Sequence, residues 1–223
     1  ITLIFITALN ANSQNITNKQ FALFHYDLEI SDEFRDDLKP VNKFLKKAEV
    51  YNKDADDKLE ALMIHHMYYH LEGELERELT IDILPINSFR QEAKYDDYGY
   101  PREKIGKILR IGGSPFYFKV DIKIESLTED KMKENPKLKG DITFPKILVD
   151  VTVFNDEGII PVDKWHGEKI AYKPFEVNKR FFRTFVKDKE LPEKPDQSTE
   201  EQESLFELYT IAVQNLIENY KND

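Results

Sequence analysis

His66 and His70 stand four residues apart, and Glu74 follows four residues further on. On a helix, positions i and i+4 lie on one side, one turn above another. Two imidazoles so placed can share a divalent ion, and a carboxylate a turn away can serve as a third ligand; zinc takes this donor set. His66, His70 and Glu74 are therefore the candidate metal ligands, and zinc the candidate cofactor of a metal-binding protein or metal-dependent hydrolase. Met67 follows His66, so the His-Glu-x-x-His arrangement that supplies a metalloprotease base is absent. The competing expectation is that these imidazoles line a crowded helix flank beside Leu59, Leu62 and Met63 and hold no ion. That expectation is the stronger, so the leading reading has no cofactor.

A second group is polar and aromatic. Residues 94–101 contain Tyr95, Tyr98 and Tyr100 with Gly99 and Pro101, a turn-rich composition. Tyrosines in loops supply contact area and a hydroxyl at small entropic cost. Trp165 beside His166 is a further candidate contact, since amphipathic aromatics are common binding anchors. Each has a plainer reading, as a loop anchored by its own rings and as a tryptophan closing one edge of a core. Asp96, Asp97, Glu125 and Asp150 are acidic candidates for hydrolysis, yet 33% charged residues make such coincidences expected. Ser114 follows Gly112-Gly113 but lacks the closing glycine of a nucleophile elbow.

Bulk properties narrow the partners. The 223 residues carry a formal charge of −10 at a sequence pI near 5.1. An acidic surface repels nucleic-acid phosphates and anionic headgroups. Cysteine is absent, which excludes disulfides, thiolate metal ligands, a cysteine nucleophile and a lipid-anchored cysteine. Residues 1–9 form an apolar run too short to span a bilayer. Ala11 and Ser13 then satisfy a small-x-small pattern, so residues 1–13 read as the remnant of a secretory signal peptide, cleaved before Gln14. Export to the periplasm or outside the cell follows, with no stable membrane span.

Residues 55–78 read as one long helix, with Ala61, Ile64, Tyr68, Leu71 and Leu75 as its apolar stripe and His66, His70 and Glu74 opposite. Gly73 predicts a kink or an early end there. A short strand over 79–84 follows, closed by Pro85. Residues 20–30 read as a strand, and Ser31 as the cap of a helix that ends near Asp37. A helix over 41–51 is expected next. Residues 86–114 form an irregular Tyr/Gly-rich loop. Residues 116–125 alternate strictly, with Phe116, Phe118, Val120, Ile122 and Ile124 on one side and Tyr117, Lys119, Asp121, Lys123 and Glu125 on the other. Residues 143–154 form a second alternating strand, and Asn155 to Gly158 a hairpin turn with left-handed Gly158. A return strand and a bend at His166-Gly167 follow. A helix over 174–187, a linker over 188–197, a capping box from Ser198 and a closing amphipathic helix complete the chain.

Together these predict residues 14–223 as a single α+β domain, with one mostly antiparallel sheet of about five strands and helices on one face. The function expected is that of a non-catalytic binding module of the bacterial cell envelope, with a protein, peptide or envelope glycan as partner.

Overall fold

The computed structural model describes residues 16–32, 34–35, 58–126, 145–171 and 205–222, with side chains of 58–62 excepted. The expected signal remnant, the helices over 41–51 and 174–187, the 188–197 linker and the Ser198 capping box lie outside them. Chain order is β1 (Gln20–Ile30), α1 (Lys58–Leu79), β2 (Asp82–Ile83), α2 (Ile105–Ile111), β3 (Phe116–Ser126), β4 (Pro145–Asn155), β5 (Asp163–Ile170) and α3 (Leu205–Asn222). The fold is α+β, with a five-stranded mixed sheet curled into a half-barrel.

Strand order is β2-β1-β3-β4-β5. The expected mostly antiparallel sheet is corrected here. β1 pairs in parallel with both β2 and β3, while β3–β4 and β4–β5 are antiparallel. The cause is connectivity: α1 lies between β1 and β2, and a helical crossover returns the chain in the same direction. A short link can reverse it, as residues 156–162 do between β4 and β5.

β1 breaks its own alternation. Its register with β3 shifts between Leu23 and His25, which places Phe24 as an extra residue. Phe21 and Leu23 enter the main core, and after the bulge so do Tyr26, Leu28 and Ile30. Without the bulge those last three would face the opposite side. β3 keeps strict alternation, as its sequence predicts, with Phe116 to Ile124 at every second position in the main core.

α1 and α3 cover that face. Ile64, Met67, Tyr68, Leu71 and Leu75 from α1 join Leu208, Tyr209, Ala212, Val213 and Leu216 from α3 in the main core. The Tyr209 hydroxyl donates to the Met67 carbonyl at 2.7 Å, and the Tyr26 hydroxyl to the Ile64 carbonyl at 3.1 Å. α1 runs unbroken through Gly73, so the helix does not end there early. The opposite face is not entirely solvated, which corrects the placement of helices on one face alone. Ile108 of α2 joins Ala22, Phe24, Phe89, Tyr117 and Phe154 in a second, smaller core. α2 itself lies within residues 86–114, in place of part of the expected irregular loop.

Edge strand β5 is continuous through Gly167, and the expected bend at His166-Gly167 is not present. A Cβ on Gly167 would lie 2.1 Å from the Ala212 carbonyl oxygen and 2.6 Å from the Leu216 nitrogen. Glycine there lets α3 lie directly on the strand. Asn215 and Asn219, one turn apart on α3, donate to the Glu168 and His166 carbonyls at 2.9 and 3.0 Å. Those bonds cover carbonyls of an edge strand that would otherwise be open to another chain. The β4–β5 connection is longer than the expected tight turn, and Gly158 is not at positive φ.

Candidate functional site

An open cleft of about 630 Å³ lies between α1, the chain leaving β2 and the tyrosine loop. Its α1 wall is His65, Tyr69, Glu72 and Glu76, a 4-3-4 spacing that aligns them along the helix. Ile83, Pro85 and Ile86 form a second wall, and Tyr98, Gly99 and Tyr100 the third.

Asp96 shapes the tyrosine wall. One carboxylate oxygen accepts from the backbone N–H of Tyr98 at 3.0 Å and of Tyr100 at 2.9 Å. The Asp96 N–H donates to the Tyr100 carbonyl at 2.9 Å, and Tyr95 and Pro101 form a bridge at the base. Gly99 takes φ 87°, a left-handed conformation that glycine adopts without steric cost. The Asp96 carboxylate thus holds the backbone that presents Tyr98 and Tyr100.

Tyr100 is fully buried and forms the floor. Its ring centroid lies 4.8 Å from Tyr26, 5.2 Å from Tyr68 and 5.3 Å from His65. Its hydroxyl lies 2.8 Å from His65 Nδ1. Burial raises the Tyr100 hydroxyl well above the usual phenol range, so it stays protonated. The same desolvation lowers the His65 pKa, against a smaller raising effect of Asp96. Above the floor, Tyr69 is 54% exposed although its ring lies nearly parallel to His65, with centroids 6.5 Å apart. Glu72 accepts from the Tyr68 hydroxyl at 3.0 Å, and Glu76 from the Ile83 N–H at 2.9 Å. Burial raises the Glu72 pKa, and the Glu76 charge raises it further, against the Tyr68 bond.

The other candidates are dispersed. Tyr95 packs with the second core and does not line the cleft. Trp165 is 3% exposed in the main core, with its ring near Phe21 and Tyr220. His166 points the other way, to the outer face, with Nδ1 2.7 Å from Asp150. His66 is buried, and His70 packs edge-on against Phe206 with centroids 5.1 Å apart. Burial lowers both pKa values to about 4, with smaller effects of His65 and Arg77 respectively. Glu74 turns to Arg77.

Among the described residues, His66, His70 and Glu74 do not bring three ligand atoms within 4.8 Å of one another; His25, Asp27 and Asp121 do. The register explains this second group, because Asp27 lies opposite Asp121, which lies opposite Asp150, which lies opposite His166. Each of these carboxylates already has a cation or imidazole beside it: Arg102 at Asp27, Lys119 at Asp121 and His166 at Asp150.

Sequence reasoning reaches Tyr98 and Tyr100 but misses Tyr69, Glu72 and Glu76. The available signal is the 65, 69, 72, 76 spacing, together with two glutamates that have no basic residue three or four positions away.

No protein-family model matches the chain, and no curated protein does. Fifteen solved chains are similar in structure. One is the 1.65 Å structure of hypothetical protein CT253 from Chlamydia trachomatis, at TM-score 0.42 and 8% identity, covering 92% of this chain and 95% of that one.

Proposed function

We propose that this chain is an exported, non-catalytic binding protein of the bacterial cell envelope and that the α1–tyrosine-loop cleft is where it binds a protein or peptide partner. One observation carries the reading. Tyr98 and Tyr100 converge on one concavity with Tyr69, the exposed large aromatic among the described side chains of α1. A cleft of this volume falls within the range of roughly 300–1,000 Å³ typical of ligand sites. Among its lining groups, Glu72 and Glu76 each accept one bond from the protein itself, from the Tyr68 hydroxyl and the Ile83 N–H, and His65 lies against the Tyr100 hydroxyl. Support for export comes from the apolar run and the small-x-small pattern at Ala11 and Ser13.

Two experiments test this. Cell fractionation followed by N-terminal sequencing should recover an extracytoplasmic chain beginning at Gln14; a cytosolic chain retaining residues 1–13 contradicts export. Affinity capture from envelope extract should give a partner that is lost in the Tyr69→Ala/Tyr98→Ala variant. Retention of every captured partner rules out the cleft.

A metal-binding protein is the second reading, favoured by the His25–Asp27–Asp121 group; the zinc expected at His66 and His70 is tested with it. Elemental analysis of tag-free protein decides it. Stoichiometric metal lost in Asp121→Asn, or in His66→Ala/His70→Ala, would replace the first reading.

A further inference from the structure

We infer that the cleft receives a cationic side chain, arginine or lysine, carried on a segment of the partner polypeptide. This rests on the binding reading above and supplies its ligand chemistry. Glu72 and Glu76 lie one turn apart on α1 and both line the cleft. Like charges at i and i+4 on a helix repel. Among the described residues no lysine or arginine lines this cleft. None pairs with either glutamate: their bonds go to the Tyr68 hydroxyl and the Ile83 N–H. Neighbouring glutamates differ. Glu74 and Glu78 on the same helix pair with Arg77, Glu78 also with Lys221, and Glu103 with Lys107. Glu72 and Glu76, which face the cavity, have no such cation beside them among the described residues.

The walls suit the same ligand. The rings of Tyr69, Tyr98 and His65 offer faces on which a guanidinium can stack or an ammonium can rest. Ile83, Pro85 and Ile86 offer apolar surface for the methylene stem of a long basic side chain. A neutral sugar could use the ring faces but would leave the two carboxylates uncompensated.

The test is an NMR titration of the full chain with N-acetyl-arginine amide, N-acetyl-lysine amide and the uncharged isostere N-acetyl-citrulline amide. The Glu72→Gln/Glu76→Gln variant is titrated in parallel; glutamine keeps an acceptor oxygen at each position and removes the charge. Shifts at Tyr69, Tyr98 and Ile83 with the two cationic probes are expected. Binding should be about tenfold or more weaker for citrulline and for the variant, because a charge-assisted contact is lost. Equal binding of citrulline, or undiminished binding by a folded variant, overturns the cationic ligand while leaving the cleft as a binding site. No cleft response to either cationic probe also overturns it. The binding reading is then decided separately by whether Tyr69→Ala/Tyr98→Ala abolishes partner capture.

Discussion

The Tyr100 hydroxyl lies 2.8 Å from Nδ1 of His65, and this contact joins the tyrosine loop to α1 at the floor of the cleft. The ring itself is fixed between Tyr26 and Tyr68. Tyr100→Phe keeps the ring contacts and removes the hydroxyl, so it should cost about 0.5–1.5 kcal/mol, the usual size of one hydrogen bond. Asp96→Ala should cost more, since it releases the N–H groups of both Tyr98 and Tyr100. Urea unfolding measures both. Amide exchange over residues 95–101 should accelerate in Asp96→Ala and change little in Tyr100→Phe.

Gly167 and Trp165 face the same core from the same strand, yet they should respond differently. Gly167→Ala forces a Cβ against the α3 backbone, an obstacle that a rotamer change cannot relieve. Overpacking of this kind costs about 1–3 kcal/mol or more, and the Asn215 and Asn219 bonds to β5 should weaken with it. Trp165→Phe leaves an aromatic ring against Phe21 and Tyr220 and removes an indole N–H that is buried with no partner among the described residues. Thermal melts should rank Gly167→Ala as the more damaging; the reverse order would mean that α3 does not lie on β5.

Gly73 offers the opposite outcome. It is exposed in the middle of α1, and a methyl group added there would meet nothing within 4 Å. Gly73→Ala should therefore raise stability by about 0.5–1 kcal/mol. For a chain of this size that is a Tm increase of about 2–4 °C per kcal/mol. A decrease would show that α1 bends at this position in solution.

Acid should act through the imidazoles of His66, which is buried, and His70, which is half-buried. In the folded chain His66 and His70 protonate only near pH 4, whereas an unconstrained histidine does so near 6.5. Between these values the unfolded chain binds more protons, so stability is full above about pH 6.5 and falls as pH drops toward 4. After allowance for solvent screening, each histidine contributes on the order of 1 kcal/mol to that loss. The His66→Leu/His70→Leu variant should show a flatter Tm between pH 6.5 and 4.5 than the parent. An equal slope in both would assign acid sensitivity to the carboxylates instead.

Local pattern carries much of this fold. The alternation of residues 116–125 and the stripe of α3 come from side chains that meet water on one side only, and periodicity reports that directly. α1 spans Lys58–Leu79, close to its expected bounds, because its apolar spacing is consistent throughout. Strand direction is less legible, since pairing β1 with β3 depends on contacts far apart in sequence. The bulge at Phe24 is hidden because aromatic residues occupy both phases of β1, so the sequence looks equally apolar either way. Spacing alone sets His66 and His70 opposite the apolar stripe. α1 is in fact buried on two sides, and α3 supplies the aromatic surface that His70 meets. The cleft is half visible, since Tyr98 and Tyr100 are local to one loop while Tyr69, Glu72 and Glu76 join them only through the tertiary fold.

The central claim is that the partner enters between α1 and the tyrosine loop. Photo-crosslinking in living cells tests it most directly, with a benzophenone amino acid replacing Tyr69 and, as a control, the exposed Ile160 on the β4–β5 connection. The predicted result is a discrete covalent adduct from position 69, mapped by mass spectrometry to a partner segment containing arginine or lysine, and none from position 160. An adduct formed from position 160 with none from position 69 would contradict it.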